Sequence, residues 1–371
     1  MKKSLVQLLG MAMSFAVIFT SCQKDVADTP AVANEEQSLN NEANRAVDEM
    51  SARQVSFEKE YGSLFKDQLN RNNRNIVEIA QSLPFFKSLV AAVVKTGLAP
   101  VLATPGLDAT VFAPTDNAFA KLPAPFNNAN NISNISDQAS IDALRNILLY
   151  HVLSTEVRKN QVANGRSSAV TLKPEVITND NRIYFSKNYG LLLVNGNSLV
   201  LLANVDANNG IIHVIDDVLI PPSKNIAEIA IGNPAFSTLV SALVKTNLAG
   251  VFTGTGDFTV FAPTNDAFAA LPMPFNTAAN ISNISDQATI DALANILKYH
   301  VTGSRYFTWD LGIFSQITTL AQPPQNKLRG ILGLNGGWVK GNDNNRYSRI
   351  SPANILATNG VVQVIDRVLL P

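Results

Sequence analysis

Apolar and polar positions along this chain change period several times, and each change predicts an element. From Val55 onward Phe57, Tyr61, Leu64, Phe65 and Leu69 fall at helical spacing. Thr110-Val111-Phe112-Ala113 is a β-type run ended by Pro114, which has no N–H for a ladder. Thr115 or Asp116 then stands where a helix N-cap is wanted, ahead of a short helix carrying Phe119 inward. Ser136 or Asp137 is placed to cap a second helix, QASIDALRNILLYHV, on which Ile141, Leu144, Ile147, Leu148 and His151 gather on one side. The stretch RIYFSKNYGLLLVNGNSLVLLANVD reads as two or three strands joined by Asn-Gly turns.

The same pattern then recurs. From Thr110 to His151, 33 of 42 positions are identical to Thr259–His300 at an offset of 149. Asn75-Ile76 matches Asn225-Ile226, and NGIIHVIDDVLIPP from Asn209 matches NGVVQVIDRVLLP from Asn359, both at an offset of 150. A period this long, seen twice, means tandem domains rather than a solenoid. The swap of Asp116-Asn117 for Asn265-Asp266 keeps capping-competent residues in both copies, so the phrase TVFAPT reads first as a strand-stop-helix corner. Residues 155–205 and 304–355 barely align.

TVFAPT with Ala-Phe after it, Tyr-His some thirty residues on, and NG…VID.VL at the end, in this order in both halves, resemble the fasciclin domain. The resemblance covers residues 72–371 and implies an α+β fold, two tandem units at 72–222 and 223–371. Each would be a wedge of two small β-sheets with several surrounding helices. In animal members of the family the Tyr-His region is linked to adhesion through integrins; the structural alternative is a neutral, hydrogen-bonded core histidine, and that reading is adopted for His151 and His300 with their neighbours Tyr150 and Tyr299.

The N-terminus adds an address. A basic start, a short apolar run and Phe19-Thr20-Ser21 before Cys22 read as a signal peptide over 1–21 and resemble a lipobox, with Phe19 where leucine is usual. Cys22, the sole cysteine, is the expected lipid attachment, and a multiply acylated residue holds a protein on a bilayer. Residues 23–52 carry seven acidic and two basic residues with few large apolar ones, and predict a flexible acidic tether within 22–52; residues 53–71 predict a lead-in helix. The expected location is the outer membrane, at the cell surface or on the periplasmic face.

Charge and chemistry narrow the function. Basic and acidic residues balance at 29 each, which offers no footprint for nucleic acid. With three histidines, no G-x-S-x-G elbow and Cys22 committed to lipid, no nucleophile triad or metal cluster is legible, so no enzyme, metal or cofactor is expected. The exchange of His213 for Gln363 argues against a common role at that position, and Asp216 and Asp366 are placed to bond a neighbouring turn. The divergent segment of the second half holds Tyr306, Trp309, Trp338 and Tyr347 among Asn and Asp residues, a candidate ligand surface set against plain core packing. The function expected is adhesion or matrix interaction with an extracellular protein. The alternative is a glycan-binding accessory of a saccharide uptake system.

Overall fold

A computed structural model describes residues 30–69, 73–254, 256–333 and 336–371. The signal segment 1–21 and Cys22 lie outside the described residues, as do the side chains of Phe65 and Leu69. The longest element is a helix where a tether was expected: α1 (Pro30–Leu69) is continuous over 40 residues. The correction has a physical reason. Leu39, Ala43 and Ala46 are buried, and Val47, Met50, Phe57, Tyr61 and Leu64 follow on the same stripe at three- and four-residue steps. Two of the three buried residues in its first half, Ala43 and Ala46, are alanines, which add little apolar weight to the sequence but let a helix backbone lie close to a sheet. Of the acidic residues, Glu36 shares the packed side and bonds Arg329 and Tyr347, while Asp48 is exposed.

The first domain contains helices α2 (Ile76–Ser82), α3 (Lys87–Lys95), α4 (Ala99–Leu102), α5 (Asp116–Ala120), α6 (Ala129–Ser133) and α7 (Gln138–Tyr150). Its strands are β1 (Ala109–Pro114), β2 (Val152–Leu153), β3 (Gly165–Val170), β4 (Arg182–Asn188), β5 (Leu191–Val194), β6 (Ser198–Ala207) and β7 (Gly210–Ile215). They pair in the order β2-β1-β7-β6-β5-β4-β3. β6 is shared between two leaves, pairing β5 at its start and β7 beyond, with register shifts that bend it between Val200 and Val205. The two leaves make the wedge. β1 and β7, the first and last strands, run parallel from Ala109↔Gly210 to Pro114↔Ile215; every other pair is antiparallel.

The second domain repeats this with α8 (Ile226–Ile231), α9 (Ser237–Lys245), α10 (Asn265–Ala269), α11 (Ala278–Ser282) and α12 (Gln287–Tyr299). Its strands are β8 (Phe258–Pro263), β9 (Val301–Thr302), β10 (Ser315–Thr318), β11 (Lys327–Gly333), β12 (Gly336–Lys340), β13 (Ser348–Ile350), β14 (Ile355–Ala357) and β15 (Gly360–Ile365). The order is β10-β11-β12-β13-β15-β8-β9, with β14 also on β15 and β8 parallel to β15. The bent β6 of the first domain is here two strands, β13 and β14, separated by a stretch containing Pro352, which cannot donate to a ladder.

Local chemistry sets the element ends. Thr115 and Thr264 cap α5 and α10 by accepting from Ala118 and Ala267. Asp116 instead accepts from the N–H groups of Lys87 and Ser88 and so holds the start of α3; Asn265 does the same for Thr238. Asp137 and Asp286, not the serines before them, cap α7 and α12. The turns Tyr189-Gly190 and Asn195-Gly196 both have positive φ at each residue, the geometry of tight hairpins.

Each domain has its own core, and a further one joins them. Leu39, Ala43 and Ala46 of α1 meet Leu191, Leu193, Leu199 and Leu201 of the first domain and Ile331, Leu332, Trp309 and Tyr347 of the second. α1 lies on β6 and β11 at once. Farther along, Phe57 packs edge-on against Phe85 and Tyr61 packs tilted against it, with ring centroids 5.3 and 4.7 Å away. The helix is a splint across both units. Substitution Ala43→Glu, at a fully buried position, is expected to undock its first half and to cost a few kcal/mol. The exposed control Asn44→Glu is expected to change stability by less than about 0.5 kcal/mol. Urea unfolding measures both, and calorimetry is expected to show the two domains of Ala43→Glu melting as separate transitions.

Candidate functional site

The Tyr-His motif sits at the end of α7 and of α12. His151 is the C-cap residue of α7 and is 2% exposed. Its Nε2 accepts from the Leu219 N–H at 2.9 Å, which leaves Nδ1 to donate to the Ile147 carbonyl at 2.7 Å. A backbone N–H can only donate, so the pair fixes the neutral Nδ1–H tautomer. His300 makes the same contacts with Leu369 (2.8 Å) and Ile296 (2.8 Å). Burial lowers both histidines to about 4. Tyr150 donates to the Arg182 carbonyl and Tyr299 to that of Lys327, each at 2.6 Å, and desolvation raises both phenols, Tyr299 to about 12. Neutral, doubly bonded and enclosed, the histidines staple the helix end to the last segment of each domain, and the tyrosines staple it to the start of β4 or β11.

His213 and Gln363 share a role after all. His213 Nε2 donates to the Val157 carbonyl at 2.8 Å, and Nδ1 accepts from the Asn204 N–H at 3.2 Å. Gln363 Nε2 donates to the Tyr306 carbonyl at 3.0 Å, and its Oε1 accepts from the Asn354 N–H at 2.8 Å. An imidazole and a carboxamide each offer one donor and one acceptor at similar reach, and residues 204 and 354 both take positive φ at the same bend. Asp216 accepts from the Leu199 N–H at 2.7 Å and Asp366 from that of Arg349 at 2.9 Å, so each bonds a strand, β6 or β13, where a turn was expected.

Sequence reasoning missed the buried asparagines of the NG motif. Asn209 accepts from the Ile76 N–H and donates to the carbonyls of Leu102 and Thr104; Asn359 does the same with Ile226, Phe252 and Gly254. The glycine after each has no room for a Cβ, which would strike the carbonyl of Ala109 or Phe258 across the parallel pair. The signal was present, since Asn-Gly stands in both copies, but nothing local shows that the side chain reaches two other elements.

The candidate ligand aromatics gather at the domain joint. Trp309 and Tyr347 are each 5% exposed, in the core shared with α1, which corrects their reading as a ligand surface. Trp309 sits edge-on to Tyr189 at 5.8 Å, and the Tyr347 hydroxyl donates to Glu36 at 2.9 Å. Tyr306 is half-buried with the Arg166 guanidinium 3.7 Å above its ring, and half-buried Trp338 packs on the edge of the same core. Around them Arg166 donates to the Arg305 carbonyl, Asn354 to Gly196 and Asn197, and Tyr189 accepts from the Ile313 N–H. Buried Arg305 pairs with Asp257 at 2.6 Å and lies 4.0 Å over Tyr184. Phe307 packs so closely on the turn at Gly196 that a Cβ there would meet its ring. The segments that diverge are therefore largely those that face each other.

Away from the joint, each domain has an apolar cleft lined by two helices, α2 and α3 or α8 and α9, and by its first strand. In the second domain it holds about 80 Å³ between α8, α9 and β8, with His300 in its wall; the exposed Ile231 and Val244 stand at its mouth. In the first it holds about 30 Å³, with His151 in its wall and exposed Val94 beside it. Among the described residues no group of three or more His, Cys, Asp or Glu side chains is arranged to hold a metal ion.

The Fasciclin domain family model matches residues 84–221 and 234–371. The chain belongs to the fasciclin family. It is similar to the transforming growth factor-beta-induced protein ig-h3 of Sus scrofa, 30% identical over 275 residues that span 74% of this chain and 36% of that protein. It is also similar to protein sll1483 of Synechocystis sp., 34% identical over 164 residues, 43% of this chain and 79% of that one. A solved fasciclin domain pair from the insect cell adhesion molecule Fasciclin I aligns over 76% of this chain and 95% of its own, at 18% identity and a TM-score of 0.36. The fasciclin chain described here thus spans about a third of the length of the ig-h3 relative.

Two measurements test the fasciclin staples. Gln363→His is expected to cost under about 1 kcal/mol, because both bonds can be remade, whereas Gln363→Leu leaves two backbone groups unpaired and is expected to cost about 1–3 kcal/mol. For pH, above about 6.5 the histidines are neutral folded and unfolded, so their contribution is complete. Between 6.5 and 4 the unfolded chain binds protons that His151 and His300 refuse, so that contribution falls as pH falls. Asp216 and Asp310, pushed up to about 6 by burial, act oppositely: their stabilisation is present at low pH and is lost as pH rises through about 6. The histidine effect is isolated by comparing the parent with His151→Gln/His300→Gln. The parent's stability advantage is expected to be flat above pH 6.5 and to shrink toward pH 4 by on the order of 3 kcal/mol per histidine.

Proposed function

We propose that this fasciclin protein is a non-enzymatic, lipid-anchored envelope protein that mediates adhesion to an extracellular protein partner, presenting two modules as one rigid body. One observation carries this reading. α1 and the divergent segments lock the domains together, while the equivalent apolar clefts remain open, one on each unit. Two similar surfaces at a fixed separation suit a repetitive or extended target, where the second contact becomes intramolecular. The histidines most available for chemistry are neutral and held by backbone groups, which supports a binding rather than a catalytic role.

Anchoring rests on the sequence around Cys22. Among the described residues no helix is long and apolar enough to cross a membrane, and an acylated cysteine supplies the attachment in this reading. The saccharide-uptake alternative is not favoured, because Trp309 and Tyr347 are buried and Arg166 covers Tyr306.

Two arms test the proposal. Cys22→Ser is expected to leave the precursor unprocessed and to shift the protein out of the detergent-rich phase; unchanged partitioning would remove the anchor. Ile231→Asp/Val244→Asp, at positions 72% and 66% exposed, is expected to weaken binding to immobilised extracellular matrix protein several-fold while the melting temperature holds. Undiminished binding would reject the cleft as the adhesive surface.

A further inference from the structure

The direction of α1 decides which domain meets the membrane. The chain enters the first domain directly after α1, which suggests by sequence order that this domain stands nearer the anchor. The contacts give the reverse. Near the start of α1, Glu36 accepts from Arg329 at 3.0 Å and from Tyr347 at 2.9 Å, both in the second domain. Near its end, Phe57 and Tyr61 pack on Phe85 of the first. At a rise of 1.5 Å per residue, Pro30 lies about 40 Å from Phe57. Cys22 precedes Pro30 by eight residues, and eight residues reach at most about 28 Å when fully extended. A lipid on Cys22 is thereby kept from the Phe85 end of the first domain and held near the Arg329–Tyr347 side of the second.

The surface at that end has matching chemistry. Residues 311–371 hold six basic side chains (Lys327, Arg329, Lys340, Arg346, Arg349, Arg367) against two acidic ones, Asp343 and Asp366. The equivalent stretch of the first domain, 161–221 at the offset of 150, has four against five. Arg329 lies opposite Lys340, and Trp338 opposite Arg349, so the register puts Lys327, Arg329, Lys340 and Arg349 on one face of the sheet, the face on which Ile331 and Trp338 pack with α1. Glu36 answers one of them, Arg329; Lys327, Arg346 and Arg349 are exposed. Phe314 and Leu320, 39% and 40% exposed, flank the edge strand β10 beside this face. Basic side chains next to two exposed large apolar ones are what a bilayer surface with anionic headgroups engages.

We propose that the second domain is the membrane-proximal one, and that the part of its β10–β13 face that α1 leaves exposed, with Phe314, Leu320, Lys327, Arg346 and Arg349, is a docking surface for anionic lipid headgroups. The first domain is then held outward, although it comes first in the chain. This rests on the anchoring reading at Cys22.

The test uses the full-length lipidated protein in phosphatidylcholine vesicles with or without phosphatidylglycerol. Acylation occupies Cys22, so a thiol introduced by Arg346→Cys or Lys87→Cys is the sole free one and carries a fluorophore. With nitroxide-headgroup lipid present, the Arg346→Cys label is expected to be quenched several-fold more than the Lys87→Cys label, and more so with phosphatidylglycerol. Adding Lys327→Glu and Arg349→Glu is expected to reduce that quenching while the protein still sediments with the vesicles. Equal or reversed quenching at the two positions overturns the orientation alone. Quenching that ignores phosphatidylglycerol and the charge reversals, or that a soluble polyanion removes in its place, overturns the lipid-headgroup surface. Failure to sediment with vesicles of either composition overturns the anchor, and this proposal with it.

Discussion

Each domain depends on one parallel pairing, β1 with β7 and β8 with β15. The first strand of a unit can lie beside its last only if about a hundred intervening residues return to the starting point. The entropy of closing such a loop grows slowly with length, so the demand falls on whatever holds the returning strand in register. The repeated motifs meet that demand. Asn209 and Asn359 tie the start of the last strand to the first helix and to the segment before β1. His151 and His300 tie the chain just after that strand to the end of α7 or α12. His213 and Gln363 hold the bend in its neighbour. Close copying between the halves marks the brackets of this pair.

Where the copies part, a different constraint acts. Two units joined head to tail meet through unlike surfaces, so the two sides of the joint cannot stay the same. The first domain offers a leucine-rich sheet face, a hairpin and a turn at Gly196; the second offers Phe307, Trp309 and Tyr347. α1 covers the seam and adds the small side chains that fill it. A joint of this kind makes the separation of the two apolar clefts a fixed quantity, which suits adhesion to a patterned surface. The buried histidines belong to the same economy of parts: burial keeps them uncharged and their ring nitrogens engaged, which serves shape and leaves little for catalysis.

What the sequence determined alone is the fold of each unit and the order of its parts. Identical phrases at an offset of 149 or 150, Pro114 and Pro263 after a β-type run, the capping residues before α5, α7, α10 and α12 and an Asn-Gly turn were all legible, because strands, stops and caps are local chemistry. The neutral core role of Tyr150-His151 and Tyr299-His300 was legible too, since a histidine in the middle of an apolar helix face has to be satisfied from the backbone. Tertiary structure decided the rest. A stretch of acidic residues with scattered alanines reads as unstructured until a sheet face is placed beneath it, and only then do Ala43 and Ala46 become a packing stripe. Trp309 and Tyr347 read as ligand-facing until the other domain covers them. His213 and Gln363 look unrelated until both are seen bridging the same two backbone groups. In each case the deciding partner lies on an element distant in the chain, and the spacing of residues along one segment carries no information about what that segment will meet.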